Sequence, residues 1–143
     1  MQGMLVVTHG RLAEELVDAA KTIVGGPVEA LEAVSIDWND DVEEATERIR
    51  QAAERVDRGG GVVLLTDMFG GTPTNLALSM LEPGKLEIVT GVNLAMLIKF
   101  ASLRQEADLT AAAADIATQG RDSIQIASPM LQGGDDPAPE AKS

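Results

Sequence analysis

The sequence predicts an open, doubly wound three-layer α/β/α fold, a mainly parallel sheet with helices on both faces. Three observations predict it. Apolar runs of strand length alternate with segments of helical period, the pattern of repeated strand–helix–strand crossovers. The run Val62-Val63-Leu64-Leu65-Thr66 is apolar on both faces, as a central parallel strand covered on both sides must be. Three strand candidates end in small or polar residues, Thr8-His9-Gly10, Thr66-Asp67 and Thr90-Gly91, where such sheets form their ligand crevice. A length of 143 residues suits one domain, expected over residues 1–127, with 128–143 as a disordered tail.

The elements follow in order. Met4–Val7 reads as a buried strand that runs out at His9 and Gly10. Arg11–Val24 places Leu12, Leu16, Ala20 and Ile23 on one helical face, and Gly25-Gly26-Pro27 stops it. Val28–Ile36 is a weaker strand candidate. Asn39-Asp40-Asp41 offers cap oxygens to a helix over Asp41–Arg58, where Val42, Ala45, Ile49, Ala52 and Val56 recur at helical spacing. After the central strand, Thr72 is expected as the cap and Pro73 as the first residue of a helix reaching about Leu81. Leu86–Thr90 is a fourth strand, and Leu94–Leu103 is helical by period. Asp108 caps a further helix, expected to end at Gly120. Ser123–Ala127 is a short strand candidate. It follows two consecutive helices, so a simple crossover does not set its direction. Ser128–Ser143 carries three prolines, adjacent glycines and several charges, the composition of a tail.

Composition removes several functions. The net charge of −12 disfavours nucleic acid and anionic membrane surfaces, and leaves room for a basic protein partner. No apolar run reaches membrane-spanning length, and no signal-type N-terminus is present, so a cytoplasmic location is expected. With no cysteine and a single histidine, a structural zinc site lacks ligands. The Walker pattern is absent, no G-x-G-x-x-G follows the first strand, and 2% aromatic residues disfavour a flavin.

The lone His9 therefore stands out. A single histidine is more often a surface residue, but this one ends a strand, and Asp67 ends another. A carboxylate beside an imidazole accepts the Nδ1 proton, fixes the tautomer and leaves Nε2 free as a nucleophile. Alone, Asp67 reads equally as a turn or helix cap. Gly70, Gly71 and Thr72 supply a possible anion cradle: glycines let backbone N–H groups approach, and a following helix aims its positive end at the same point. Either feature alone is weak. Together they point to phosphoryl transfer onto histidine.

Val-Val-Thr-His-Gly (6–10), Leu-Leu-Thr-Asp-Met-Phe-Gly-Gly-Thr-Pro-Thr-Asn-Leu-Ala (64–77) and Thr-Gly-Val-Asn-Leu-Ala-Met-Leu (90–97) resemble the mannose-family enzyme IIA domain of the bacterial phosphotransferase system. The resemblance spans about residues 3–127. It implies that His9 accepts phosphate on Nε2 from phospho-HPr and passes it to an enzyme IIB, with Asp67 in support and Gly70, Gly71 and Thr72 at the phosphate. It implies no metal and no organic cofactor. It also implies four parallel strands and an antiparallel fifth, exchanged between the subunits of a homodimer, a role that falls on Ser123–Ala127.

The chain departs from this pattern in places. Met68 stands where some relatives carry a hydroxyl residue after the acid, and Ala95 where many carry proline. Some relatives continue into a IIB domain, so a separate IIB or none is expected here, with contact to the membrane permease peripheral at most. Two alternatives use the same histidine. One is a regulatory protein whose phosphorylation state controls a partner; the other is a donor subunit for a dihydroxyacetone kinase. A third, of another class, is a small-anion binding module with no transfer.

Overall fold

The structure, a computed structural model, describes residues 1–102 and 108–133. Strand β1 (Gly3–His9) lies at the sheet's centre, because every residue from Gly3 to Thr8 is buried and needs cover on both faces. It pairs in parallel with β2 (Leu31–Ile36) on one side and β3 (Val62–Thr66) on the other. Strand β4 (Leu86–Thr90) pairs in parallel with β3, giving the order β2-β1-β3-β4. Successive connections therefore leave in opposite directions from β1 and β3. The switch point lies between those two strands, where open sheets of this kind bind ligands.

Alternation along the strands divides the core. Met4, Val6, Leu31, Val63 and Leu65 face helices α1 (Leu12–Val24), α4 (Leu94–Ser102) and α5 (Leu109–Asp122), packing on Val17, Phe100 and Ile116. Leu5, Val7, Val34 and Leu64 face α2 (Val42–Val56) and α3 (Gly71–Leu78), packing on Ile49, Val56 and Ala77. These are the three expected layers. The caps form as their side chains dictate: Asp41 Oδ2 accepts from Glu44 N at 3.0 Å, and Asp108 Oδ1 from Ala111 N at 2.7 Å.

Several expectations are corrected. Helix α5 does not stop at Gly120 but runs to Asp122. Gly120 is buried, and a Cβ there would stand 2.4 Å from Met96 Cε, so this glycine serves the contact between α5 and α4. Ser123–Ala127 forms no strand in the single chain. Residues 124–126 have no regular structure, and a short helix α6 (Ala127–Gly133) follows. A strand needs a ladder partner, and the segment has none among the described residues: α5 delivers it with Ile124 and Ile126 exposed. Helix α6 also occupies the first part of the expected tail; residues 134–143 and Leu103 lie outside the described residues.

Candidate active site

The site is assembled at the carboxyl ends of β1 and β3. Val7 is opposite Thr66 in the ladder, so His9 and Asp67 emerge together just beyond the paired region. On the other side His9 is opposite Ile36, and Gly10 N donates to Ile36 O at 2.9 Å. Thr8, fully buried, fixes the turn into α1: its hydroxyl donates to His9 O at 3.1 Å and accepts from Ala13 N at 2.7 Å. A threonine oxygen thus takes the place of a side-chain cap, which Arg11 at the helix start does not provide.

Asp67 Oδ2 is 2.7 Å from His9 Nδ1 and accepts from His9 N at 3.0 Å. Burial works to raise the Asp67 pKa, but the hydrogen bonds from the His9 ring and backbone, with the charge of the ring, outweigh it and hold the carboxyl below its ordinary value. The group is therefore a carboxylate, which can only accept. The proton between the two side chains sits on Nδ1, and in the neutral ring Nε2 keeps its lone pair. The His9 side chain is 49% exposed and that of Asp67 only 14%. The acid is sheltered and the ring is presented. Asp67 Oδ1 is buried and has no hydrogen-bond partner.

The β3–α3 turn closes over the ring. Gly70 has φ 84° and ψ −179°, a conformation essentially restricted to glycine. Gly71 has φ 80°, and a Cβ there would stand 3.2 Å from His9 Cε1 and 3.5 Å from Nε2. Both glycines are thus required, one by backbone geometry and one by geometry and space together. Gly70, not Thr72, is the cap of α3, and no side chain caps that helix. The two positive-φ residues turn the chain early, so the helix begins ahead of Thr72, which is exposed in its first turn. The first N–H groups of an α-helix have no partner within the helix, and this end of α3 begins at Gly71, beside the imidazole.

Two residues escaped the sequence reading. Thr66 and Thr74 are both buried, and their hydroxyl oxygens are 2.7 Å apart. Thr74 Oγ1 is also 2.6 Å from Met68 O. The signal available was a threonine at the buried end of an apolar strand and another inside the helix that follows. Around the site, Met68 and Phe69 are exposed, and Trp38, just past β2, is 96% exposed. Among the described residues no three His, Asp or Glu side chains gather as metal ligands.

Residues 3–117 match the family model described as "PTS system fructose IIA component". The chain is 28% identical over 133 residues to the PTS system fructose-specific EIIA component of Bacillus subtilis, covering 92% of this chain and 90% of that one. It is 28% identical over 109 residues to the mannose-specific EIIAB component of Escherichia coli K12, but spans only 32% of that longer protein. Among solved structures, the mannose/sorbose-specific IIA subunit from Enterococcus faecalis superposes with a TM-score of 0.77 at 26% identity, over 87% of this chain and 93% of that one. The PTS IIA protein associated with the fucose utilization operon of Streptococcus pneumoniae gives 0.79 at 25%, over 91% and 96%. With the central histidine–aspartate pair on the same fold, the chain belongs to the mannose-type enzyme IIA family of the phosphotransferase system.

Proposed function

We propose that this protein is a cytoplasmic phosphoryl carrier of a sugar phosphotransferase system, taking phosphate from phospho-HPr onto His9 Nε2 and handing it to an enzyme IIB. The observation that carries the reading is the 2.7 Å contact from Asp67 Oδ2 to Nδ1 of a half-exposed ring. The lone pair of Nε2 attacks the phosphorus, an Nε2–P bond forms, and the bond to the donor nitrogen breaks with its electron pair returning to the donor. Asp67 keeps the Nδ1 proton in place and offsets the positive charge that grows on the ring as the bond forms. The backbone donors of Gly70, Gly71 and the first turn of α3, with the Thr72 hydroxyl, receive the phosphoryl oxygens. No further covalent machinery is required, since positioning and charge stabilisation dominate phosphoryl transfer.

Support for a protein partner, rather than a small molecule, comes from the exposed Trp38, Met68 and Phe69, which follow the carboxyl ends of β2 and β3, because aromatic and methionine side chains are enriched at protein interfaces. We also read the protein as a homodimer, with the exposed segment after α5 as the part exchanged or buried.

Incubation with phosphoenolpyruvate, enzyme I and HPr tests the reading. Wild-type protein is expected to take up one acid-labile phosphate, and His9→Ala none. Equal labelling of the variant, or no labelling of the wild type, overturns it. Transfer onward is checked by adding candidate IIB proteins to the purified phosphoprotein and following loss of label.

A further inference from the structure

We propose that Thr74 is a positioning residue for phosphoryl transfer, holding Asp67 in register with His9 through a buried chain of hydroxyls that includes Thr66. The inference rests on the reading of His9 as phosphoacceptor with Asp67 as its orienting acid.

The chain of hydrogen bonds has one self-consistent direction. Met68 O, 2.6 Å from Thr74 Oγ1, can only accept, so the single Thr74 proton goes there. The 2.7 Å contact between the hydroxyls must then use the Thr66 proton. Thr66 donates to Thr74, and Thr74 donates to Met68. These two anchor points flank Asp67 in sequence. One side chain on α3 therefore holds the residues on both sides of the acid, Thr66 by its hydroxyl and Met68 by its carbonyl.

Asp67 needs that support. Its Oδ2 is committed to His9, and its Oδ1 is buried with no partner. Beyond the bonds from His9, the support for the carboxylate among the described residues comes from its own backbone, so its position follows from the backbone that carries it. Thr66 O is held from outside by Val92 N at 2.9 Å, and beyond Thr66 the chain leaves the ladder. From that point Thr74 ties the turn to the helix whose amino end faces the ring. Both threonine side chains are shielded from water, Thr66 at 0% and Thr74 at 1% exposure, so water does not substitute for the contacts. A small displacement matters here, because misplacing a reacting group by about 1 Å can cost about a hundredfold in rate.

Thr74→Val keeps the shape and removes the hydroxyl; Thr74→Ser keeps the hydroxyl. Two readouts apply to the full-length protein: the single-turnover rate from phospho-HPr, and the His9 ring tautomer by ¹⁵N NMR. Thr74→Val, which removes both links, is expected to slow transfer about tenfold or more, the scale of losing two buried hydrogen bonds beside the acid. It is also expected to turn a single Nδ1–H tautomer into a mixture. Thr74→Ser is expected within about twofold of wild type on rate, with an unchanged tautomer, since it restores the same bonds. In an Asp67→Ala background, Thr74→Val is expected to add no further slowing, because the threonine acts through the acid. Thr66→Val, which cuts only the first link, stands in if Thr74→Val yields no folded protein. A Thr74→Val protein with wild-type rate and wild-type tautomer overturns the proposal. So does a Thr74→Ser protein as slow as the valine variant, or additive slowing with Asp67→Ala. Wild-type protein that takes no phosphate defeats the parent reading instead, and the tautomer spectra then decide the role of Thr74 alone.

Discussion

At Asp67, burial and contact oppose each other. Desolvation favours the neutral acid, whereas two hydrogen bonds from His9 and the charge of its ring favour the carboxylate, and the contacts win. A carboxyl whose folded pKa lies below its unfolded value of 3.8 adds stability at every pH above that value. The contribution is lost as pH falls through the lower, folded value. Asp67→Asn removes it at all pH. Urea melts are therefore expected to show wild type more stable than Asp67→Asn at neutral pH, with the gap closing below about pH 4. A gap that stays constant down to about pH 3 contradicts the account. On activity, Asp67→Ala is expected to slow phosphorylation from the donor while leaving the fold intact, since its Oδ1 anchors nothing. An unchanged rate removes the acid from the mechanism.

The elements place this pair, and the amino end of β1 is the tightest of their joints. A Cβ on Gly3 would stand 2.0 Å from Val56 O and 2.6 Å from Val56 C, atoms of the last turn of α2. Backbone cannot rotate aside as a side-chain tip can, so strand and helix would have to part. Gly3→Ala is expected to destabilise by about 2–3 kcal/mol, the scale of an overpacked core, and to lower the melting temperature; a calorimetric melt within 1–2 °C of wild type refutes this, given about 2–4 °C per kcal/mol at this size. The edge strand β2 is managed differently. Arg48 donates to Ser35 O at 3.0 Å and pairs with Asp40, while Arg55 pairs with Glu32 at 2.9 Å, so α2 lays charged side chains along that edge. Much of this was legible in the sequence. Strand β3 announced itself by being apolar on both faces, and α2 by its period and the Asp41 cap. His9 and Asp67 were legible because each follows an apolar run. The start of α3 was not. It is set by two positive-φ glycines, and sequence shows that a glycine is present but not which conformation it adopts. Thr66 and Thr74 were missed for a related reason: their pairing spans a turn whose path only the folded chain reveals. Gly120 looked like a helix stop, when packing against Met96 is what it serves.

On the scale of the whole molecule, the segment that follows α5 is apolar and exposed among the described residues. Ile124, Ile126, Met130 and Leu131 are all exposed, with Ile124 at 77% and Ile126 at 76%. Ile124 also lines a cavity of about 370 Å³ with Ile88, Val89, Met96 and Ala117, beside β4, the outermost strand on that side. An exposed apolar segment, a recess of mixed lining that also takes in Asn93 and Arg121, and the outer edge of β4 lie together, and a second copy of the chain would bring the same three features in reciprocal roles, as a two-fold interface requires. The charge opposes this assembly: two copies at −12 repel, and salt screens the repulsion within about 10 Å at 0.1 M. A dimer driven by apolar burial is therefore expected to tighten, not loosen, as salt rises. Each isoleucine is worth about 1.5–3 kcal/mol when buried, and both copies contribute two. Ile124→Lys with Ile126→Lys is accordingly expected to leave only monomer in sedimentation velocity, with transfer to His9 still measurable because the site is built from β1, β3 and α3 of one chain. A double variant that sediments with the wild type, or a wild type that dissociates as salt is added, shows that this surface is not what joins the copies.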